Sequence, residues 1–66
     1  MNEKIYDIAK RLFENHREII DPTILRNSEV EKMIRELGYM ESFKEEEMIL
    51  IKIKWANIIF NSSSLL

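Results

Sequence analysis

Near its C-terminus the chain reads MILIKIKWANIIF over residues 48–60, an apolar segment of thirteen residues in a total of 66. Wound as an α-helix at about 100° per residue, the segment carries apolar side chains around an arc of roughly 220°. A surface helix needs a narrower apolar stripe to cover the core of one small domain. The excess predicts that this segment contacts another chain as well as its own core.

The same segment also has a β-strand pattern. β-Branched and aromatic residues alternate with other residues between positions 49 and 55, which is typical of a half-exposed strand. A helix is favoured because Ser42 and Glu45 have the spacing of a capping box, and Glu46 and Glu47 add negative charge at the positive end of the helix dipole. A strand would need a partner from another chain, because no second strand is evident in the sequence. Both interpretations direct the segment toward another chain.

The rest of the sequence predicts two further helices and an all-α fold. Apolar residues recur at helical spacing in each of them. We therefore expect a small three-helix domain over residues 1–66, with helices at about residues 2–20, 28–37 and 43–60. The first two helices should fold against the long third one.

Residues that start or stop helices lie at the predicted boundaries. Pro22 lacks an amide hydrogen and disfavours helical geometry in the residue before it, so the first helix should end near Ile20. Ser28 and Glu31 have the spacing of a capping box for the second helix. Gly38 can adopt the left-handed conformation that closes this helix.

The small size of the chain favours self-association. Domains of this length bury only about 60% of the surface that their unfolded chains expose, and they usually need additional stabilisation. The sequence has no cysteine and a single histidine, which excludes disulfides and disfavours a structural zinc site. Association with a second copy remains, so we expect a homodimer joined through the C-terminal helix.

Six residues of the third helix form the predicted interface. They are Ile49, Lys52, Ile53, Trp55, Ala56 and Phe60. A second set is expected to face the core of the same chain: Ile51, Trp55, Ile58 and Ile59. Trp55 is thus open to two interpretations, a core or dimer-seam residue and a hot spot for a foreign partner. Lys52 lies within the apolar arc, so its amine should extend to solvent or meet a carboxylate of a neighbouring chain, such as Glu45.

Residues suited to catalysis or metal binding are few. The chain has one histidine, no cysteine and no glycine-rich loop. His16 is the best single candidate, although an isolated histidine on a helix is more typical of a partly solvated position or an interface edge. Glu45, Glu46 and Glu47 are consecutive and point in different directions, which favours a solvated role at the helix start over a cation site. We predict neither enzymatic activity nor a cofactor.

Two functions are compatible with the near-balanced charge, ten basic against twelve acidic residues. The first is a non-enzymatic protein–protein interaction module that inhibits, recruits or regulates a larger protein. The alternative is a small dimeric helix-turn-helix-like DNA-binding regulator, with residues 22–25 and 28–37 as its two helices. Its candidate groove-facing residues are Arg26, Asn27, Lys32 and Arg35. The acidic residues of that second helix are Glu29, Glu31 and Glu36, and like charge with phosphates disfavours the DNA alternative.

The sequence predicts a soluble, cytoplasmic protein. The N-terminus, MNEK, lacks the apolar core of a secretory signal. Residues 48–60 are too few to span a bilayer, and Lys52 and Lys54 interrupt them. The composition is rich in Ile, Lys, Asn and Glu, with one Gly and one Pro. Such a bias is typical of A/T-rich coding genomes, including those of low-GC bacteria and their phages.

Overall fold

The computed structural model describes residues 3–64 and contains three α-helices. They are α1 (Glu3–Asn15), α2 (Asn27–Glu36) and α3 (Glu45–Ser64), with a short 3₁₀ turn at Pro22–Ile24 between α1 and α2. No strand is present between residues 3 and 64. The predicted all-α, three-helix fold is confirmed, and the strand alternative for residues 48–55 is wrong. Residue 2, where the first helix was predicted to start, lies outside the described residues.

The core lies between all three helices. α3 is the central element, because α1, α2 and the 3₁₀ turn all contact it. An ion pair joins Lys4 to Glu41 just before α3, and the His16 ring lies 6.2 Å from the Trp55 ring, so α1 and α3 run in the same direction. The buried apolar residues are Ile5, Ile8, Ala9, Leu12, Val30, Ile34, Met48, Ile51 and Trp55. A single chain therefore already encloses a core.

The first helix is shorter than predicted, because α1 ends at Asn15 and not near residue 20. The Asn15 side-chain amide donates to the carbonyl of Arg11 at 2.8 Å. Asparagine favours helix ends because its side chain competes for backbone groups in this way. A turn follows, in which the Ile19 amide donates to the His16 carbonyl at 3.1 Å. This early end directs Ile19 toward the core instead of continuing the helix into the proline.

The second helix begins one residue earlier than predicted, with Arg26 as its N-cap residue. The Arg26 amide donates to the Glu29 carboxylate at 3.0 Å, so Glu29 and not Glu31 reaches back to the cap. Leu25 and Val30 flank this first turn, and both pack in the core. Such an apolar pair, one residue before the cap and one at the fourth helical position, is a hydrophobic staple. It sets the start of α2 in preference to the predicted box at Ser28.

The third helix begins two residues later than predicted and repeats this arrangement. The Lys44 amide donates to the Glu47 carboxylate at 2.8 Å, so the predicted pairing of Ser42 with Glu45 is wrong. Phe43 and Met48 flank the first turn and both belong to the core. The staple again decides the register, because packing two large apolar side chains outweighs one serine cap.

The predicted role of Gly38 is confirmed. Its φ angle is +105°, and its amide donates to the Arg35 carbonyl at 3.0 Å, just after the last residue of α2. Residues other than glycine rarely adopt this backbone conformation. At the other end of the chain, α3 continues to Ser64, past the predicted end near residue 60.

Candidate interaction surface on the third helix

α3 has apolar residues on two opposite faces. Its inner face holds Met48, Ile51 and Trp55, which are buried, together with the half-buried Ile58 and Ile59. Its outer face carries large apolar side chains in solvent, with exposed fractions of 44% for Ile49 and for Ile53, 46% for Leu50 and 72% for Phe60. A helix that is apolar on both faces normally has protein on both sides.

The outer face contains a narrow row of residues that we call the outer strip: Ile49, Ile53, Ala56 and Phe60. Ala56 is half-buried and the other three residues are exposed. The spacing of four, three and four residues keeps the strip within about 60° of the helix circumference and extends it over about 16 Å. This is the spacing of the contact positions in a coiled coil. The strip is therefore a straight seam that a second helix can follow.

Four of the six predicted interface residues form this strip, and Trp55 does not. Trp55 is fully buried in the core of its own chain, with its ring tilted by 53° against the His16 ring. Its indole nitrogen is buried and has no hydrogen-bond partner. A side chain in this position supports the strip by holding α3 against the rest of the core, and it offers no surface of its own.

Lys52 also has a role other than the predicted one. Its amine donates to the backbone carbonyl of Leu25 at 3.0 Å in a partly buried site. It therefore extends neither freely to solvent nor toward a neighbouring Glu45. The bond ties the connection between the 3₁₀ turn and α2 to the middle of α3. Residue spacing does not indicate this bond, because the acceptor is a backbone carbonyl 27 residues away.

We expect the substitution Lys52→Met to lower the free energy of unfolding by about 1–2 kcal/mol, the usual worth of a hydrogen bond from a charged donor in a partly solvated site. Methionine keeps much of the length of the side chain but cannot donate. Lys54→Met, two positions along the same helix, serves as the control for the loss of charge. Urea denaturation of dilute protein provides the measurement. Equal losses in the two variants would show that the bond to Leu25 contributes nothing.

Polar residues border the outer strip. Glu45 and Glu46 are exposed in the first turn of α3, and Asn57 is exposed beside the strip farther along. Apolar contacts surrounded by a polar rim are typical of protein interfaces. Leu50 adjoins the strip on the Asn57 side and was not among the predicted interface residues, although its position on the outer face follows from helical spacing alone.

His16 lies at the edge of the core and not in a cluster of reactive groups. It is half-buried, and its Nδ1 atom lies 3.7 Å from a carboxylate oxygen of the exposed Glu18. Between residues 3 and 64, no three His, Cys, Asp or Glu side chains are grouped so as to hold a metal ion. The predicted description of His16 as a partly solvated residue fits this position.

The candidate DNA-reading residues are dispersed around α2 and its cap. Arg26, Lys32 and Arg35 are all exposed, and Nη2 of Arg35 lies 3.9 Å from a carboxylate oxygen of Glu31 on the preceding turn. Asn27 is half-buried, with its side-chain oxygen buried and unbonded. The first helix of the supposed motif is only the three-residue 3₁₀ turn. Lys32 and Arg35, three residues apart, share one side of α2, whereas Arg26 and Asn27 lie at its start.

Among the described residues, four further large apolar side chains are exposed outside α3, and one of them, Tyr6, lies on α1. Ile20 and Ile24 flank the buried Pro22, and Met40 lies in the connection to α3. The first helix was predicted to reach Ile20, and the early end of α1 leaves this side chain in solvent. No two of these four residues share a helix, whereas the outer strip is a row of side chains on one long helix.

Comparison of the chain with protein families, with curated proteins and with solved structures gives no match. Within residues 3–64, none of the helices combines the length and the apolar character needed to cross a membrane. The physical chemistry of the outer strip is therefore the basis for inferring a function.

Proposed function

We propose that the protein is a non-enzymatic protein–protein interaction module, which forms a homodimer through α3 and inhibits, recruits or regulates a larger protein. The observation that supports this proposal is the outer strip, a row of exposed apolar side chains on the one helix that every other element contacts. We place this activity in the cytoplasm, because a chain without cysteine needs no oxidising compartment.

The strip is suited to binding because it is rigid before a partner arrives. The opposite face of α3 is fixed in the core by Met48, Ile51 and Trp55. A helix held in this way loses little conformational freedom on binding, which leaves more of the contact energy for affinity. Phe60, exposed by 72%, is the largest side chain of the strip and the best anchor for a partner's pocket.

The size of the strip favours a weak dimer. Stable interfaces bury about 800 Å² on each partner. That area would be about a sixth of the 4876 Å² surface of this chain, more than four side chains provide. A dimer that dissociates readily leaves the strip open to competition. A groove on a larger protein can then bind α3 in place of the second copy, as grooves bind amphipathic helices elsewhere.

The test is the substitution Phe60→Asp, with Asn57→Asp as the control at an exposed position beside the strip. The mass of the unchanged chain, measured by light scattering, should rise from 8.0 kDa toward twice that value as concentration increases. Phe60→Asp should weaken association by roughly 100-fold, because a carboxylate loses hydration in an apolar seam. Asn57→Asp should change the dissociation constant of the dimer by only a few-fold. Unaltered association of Phe60→Asp would show that the strip is not the dimer interface.

A further inference from the structure

We infer that the two copies of α3 dock antiparallel, so that Ile49 of one chain packs on the partner's Phe60 and Ile53 packs on the partner's Ala56. The inference rests on the proposed homodimer and specifies how the strip is covered. The spacing of the strip permits this arrangement, and two independent features favour it over parallel docking: the sizes of the side chains and the charges at the ends of the strip.

The spacing of the strip is symmetric. Reading from Ile49 to Phe60 gives intervals of four, three and four residues, and the reverse direction gives the same intervals. A two-fold axis midway between Ile53 and Ala56 therefore brings the strip onto itself with the helices antiparallel. Such an interface joins two copies only. The same apolar patch is used on both chains, so no unpaired apolar patch is left to bind a third copy.

Side-chain size favours the antiparallel pairing. In that arrangement each small residue, Ala56, lies opposite a large one, Ile53, and seams fill best when large and small residues alternate across them. Parallel helices would place Ala56 against its own copy and Phe60 against its own copy. The first pair would leave a gap and the second would force the helices apart, so the seam could not be evenly packed.

Charge favours the same pairing. Glu45 and Glu46 are exposed in the first turn of α3, and Glu46 lies on the line of the strip, seven residues before Ile53. Parallel docking would bring the exposed carboxylates of both chains together at one end. Antiparallel docking separates the two copies of Glu46 by about 25 Å along the axis, about three times the Debye length at physiological salt.

Single introduced cysteines report the orientation, because the natural chain has none. Chains carrying Ile49→Cys are mixed with chains carrying Phe60→Cys and a tag, in a glutathione redox buffer at a concentration where the unchanged chain is dimeric. A disulfide requires Cα atoms within about 7 Å, and the two copies of residue 60 lie about 16 Å apart in the antiparallel dimer. The mixed disulfide should exceed either self-linked product by at least tenfold. Lys10→Cys, on the exposed side of α1, gives the background from random collision.

Predominant self-linking of Phe60→Cys would overturn the antiparallel arrangement while leaving the homodimer intact. A second variant, Glu46→Lys, decides the question if the cysteine variants fail to associate, because it leaves the strip unchanged. The variant is mixed with the unchanged chain, and native mass spectrometry counts the dimers. If docking is antiparallel, mixed dimers and homodimers should form in the proportions expected from random pairing. Enrichment of the mixed dimer would indicate facing Glu and Lys side chains and parallel helices. An unchanged chain that stays at 8.0 kDa at millimolar concentration would overturn the homodimer itself.

Discussion

The substitution Trp55→Ala is expected to unfold the chain and not merely to weaken its assembly. Trp55 is fully buried and is the largest side chain in the core. Truncating a buried tryptophan costs about 3–5 kcal/mol, and the single core of a domain this small rarely supplies more than about 3–5 kcal/mol in total. Loss of the helical signal in far-ultraviolet circular dichroism at 25 °C is the expected result. Retention of a cooperative thermal transition with full helicity would contradict this account of the core.

The matched variant Trp55→Phe should keep the chain folded, with a change in the free energy of unfolding of about 1 kcal/mol or less. Phenylalanine fills most of the same space, and it removes an indole N–H that is buried without a hydrogen-bond partner. A buried unsatisfied donor costs about 1–3 kcal/mol, so its removal offsets part of the lost packing. Urea denaturation measures the difference. Losses as large as those of Trp55→Ala would imply that the N–H group has a bond that stabilises the fold.

Most of the fold follows from the periodicity of apolar residues. The inner face of α3 was predicted correctly: Ile51 and Trp55 are buried, and Ile58 and Ile59 pack against the core. The sequence left an intermolecular strand open for the same segment, and the structure decides in favour of the helix. Apolar spacing reports which residues are buried together, and in a chain of three helices that information is nearly the whole fold.

Helix ends and the bond of Lys52 were not predictable in the same way. Serines at positions 28 and 42 looked like caps, but the starts of α2 and α3 are set by apolar pairs on either side of each cap. Those apolar pairs stabilise the helix starts only when the three helices pack together. The same holds for Lys52, whose acceptor is a distant backbone carbonyl. Local patterns locate the helices, and tertiary contacts then choose among nearby registers.

The candidate surface exists only if the two faces of α3 differ in burial. Substitutions at Ile51 and Ile53 test this difference directly. They lie two positions apart on opposite faces, with Ile51 fully buried and Ile53 exposed by 44%. Ile51→Asp should unfold the chain, because burying an unpaired carboxylate costs several kcal/mol. Ile53→Asp should change the free energy of unfolding of the dilute monomer by about 1 kcal/mol or less, as surface substitutions usually do. Thermal denaturation followed by circular dichroism gives both values.

The same pair also separates folding from association. Ile53→Asp, although folded, should remain at 8.0 kDa by light scattering at concentrations where the unchanged chain dimerises. It should also lose the rise in melting temperature with concentration that any self-associating chain shows, since association stabilises only the folded state. If Ile53→Asp dimerises normally, the seam lies elsewhere on the molecule. If instead Ile53→Asp unfolds, Ile53 contributes to the core of a single chain, and the outer face of α3 is not a free surface.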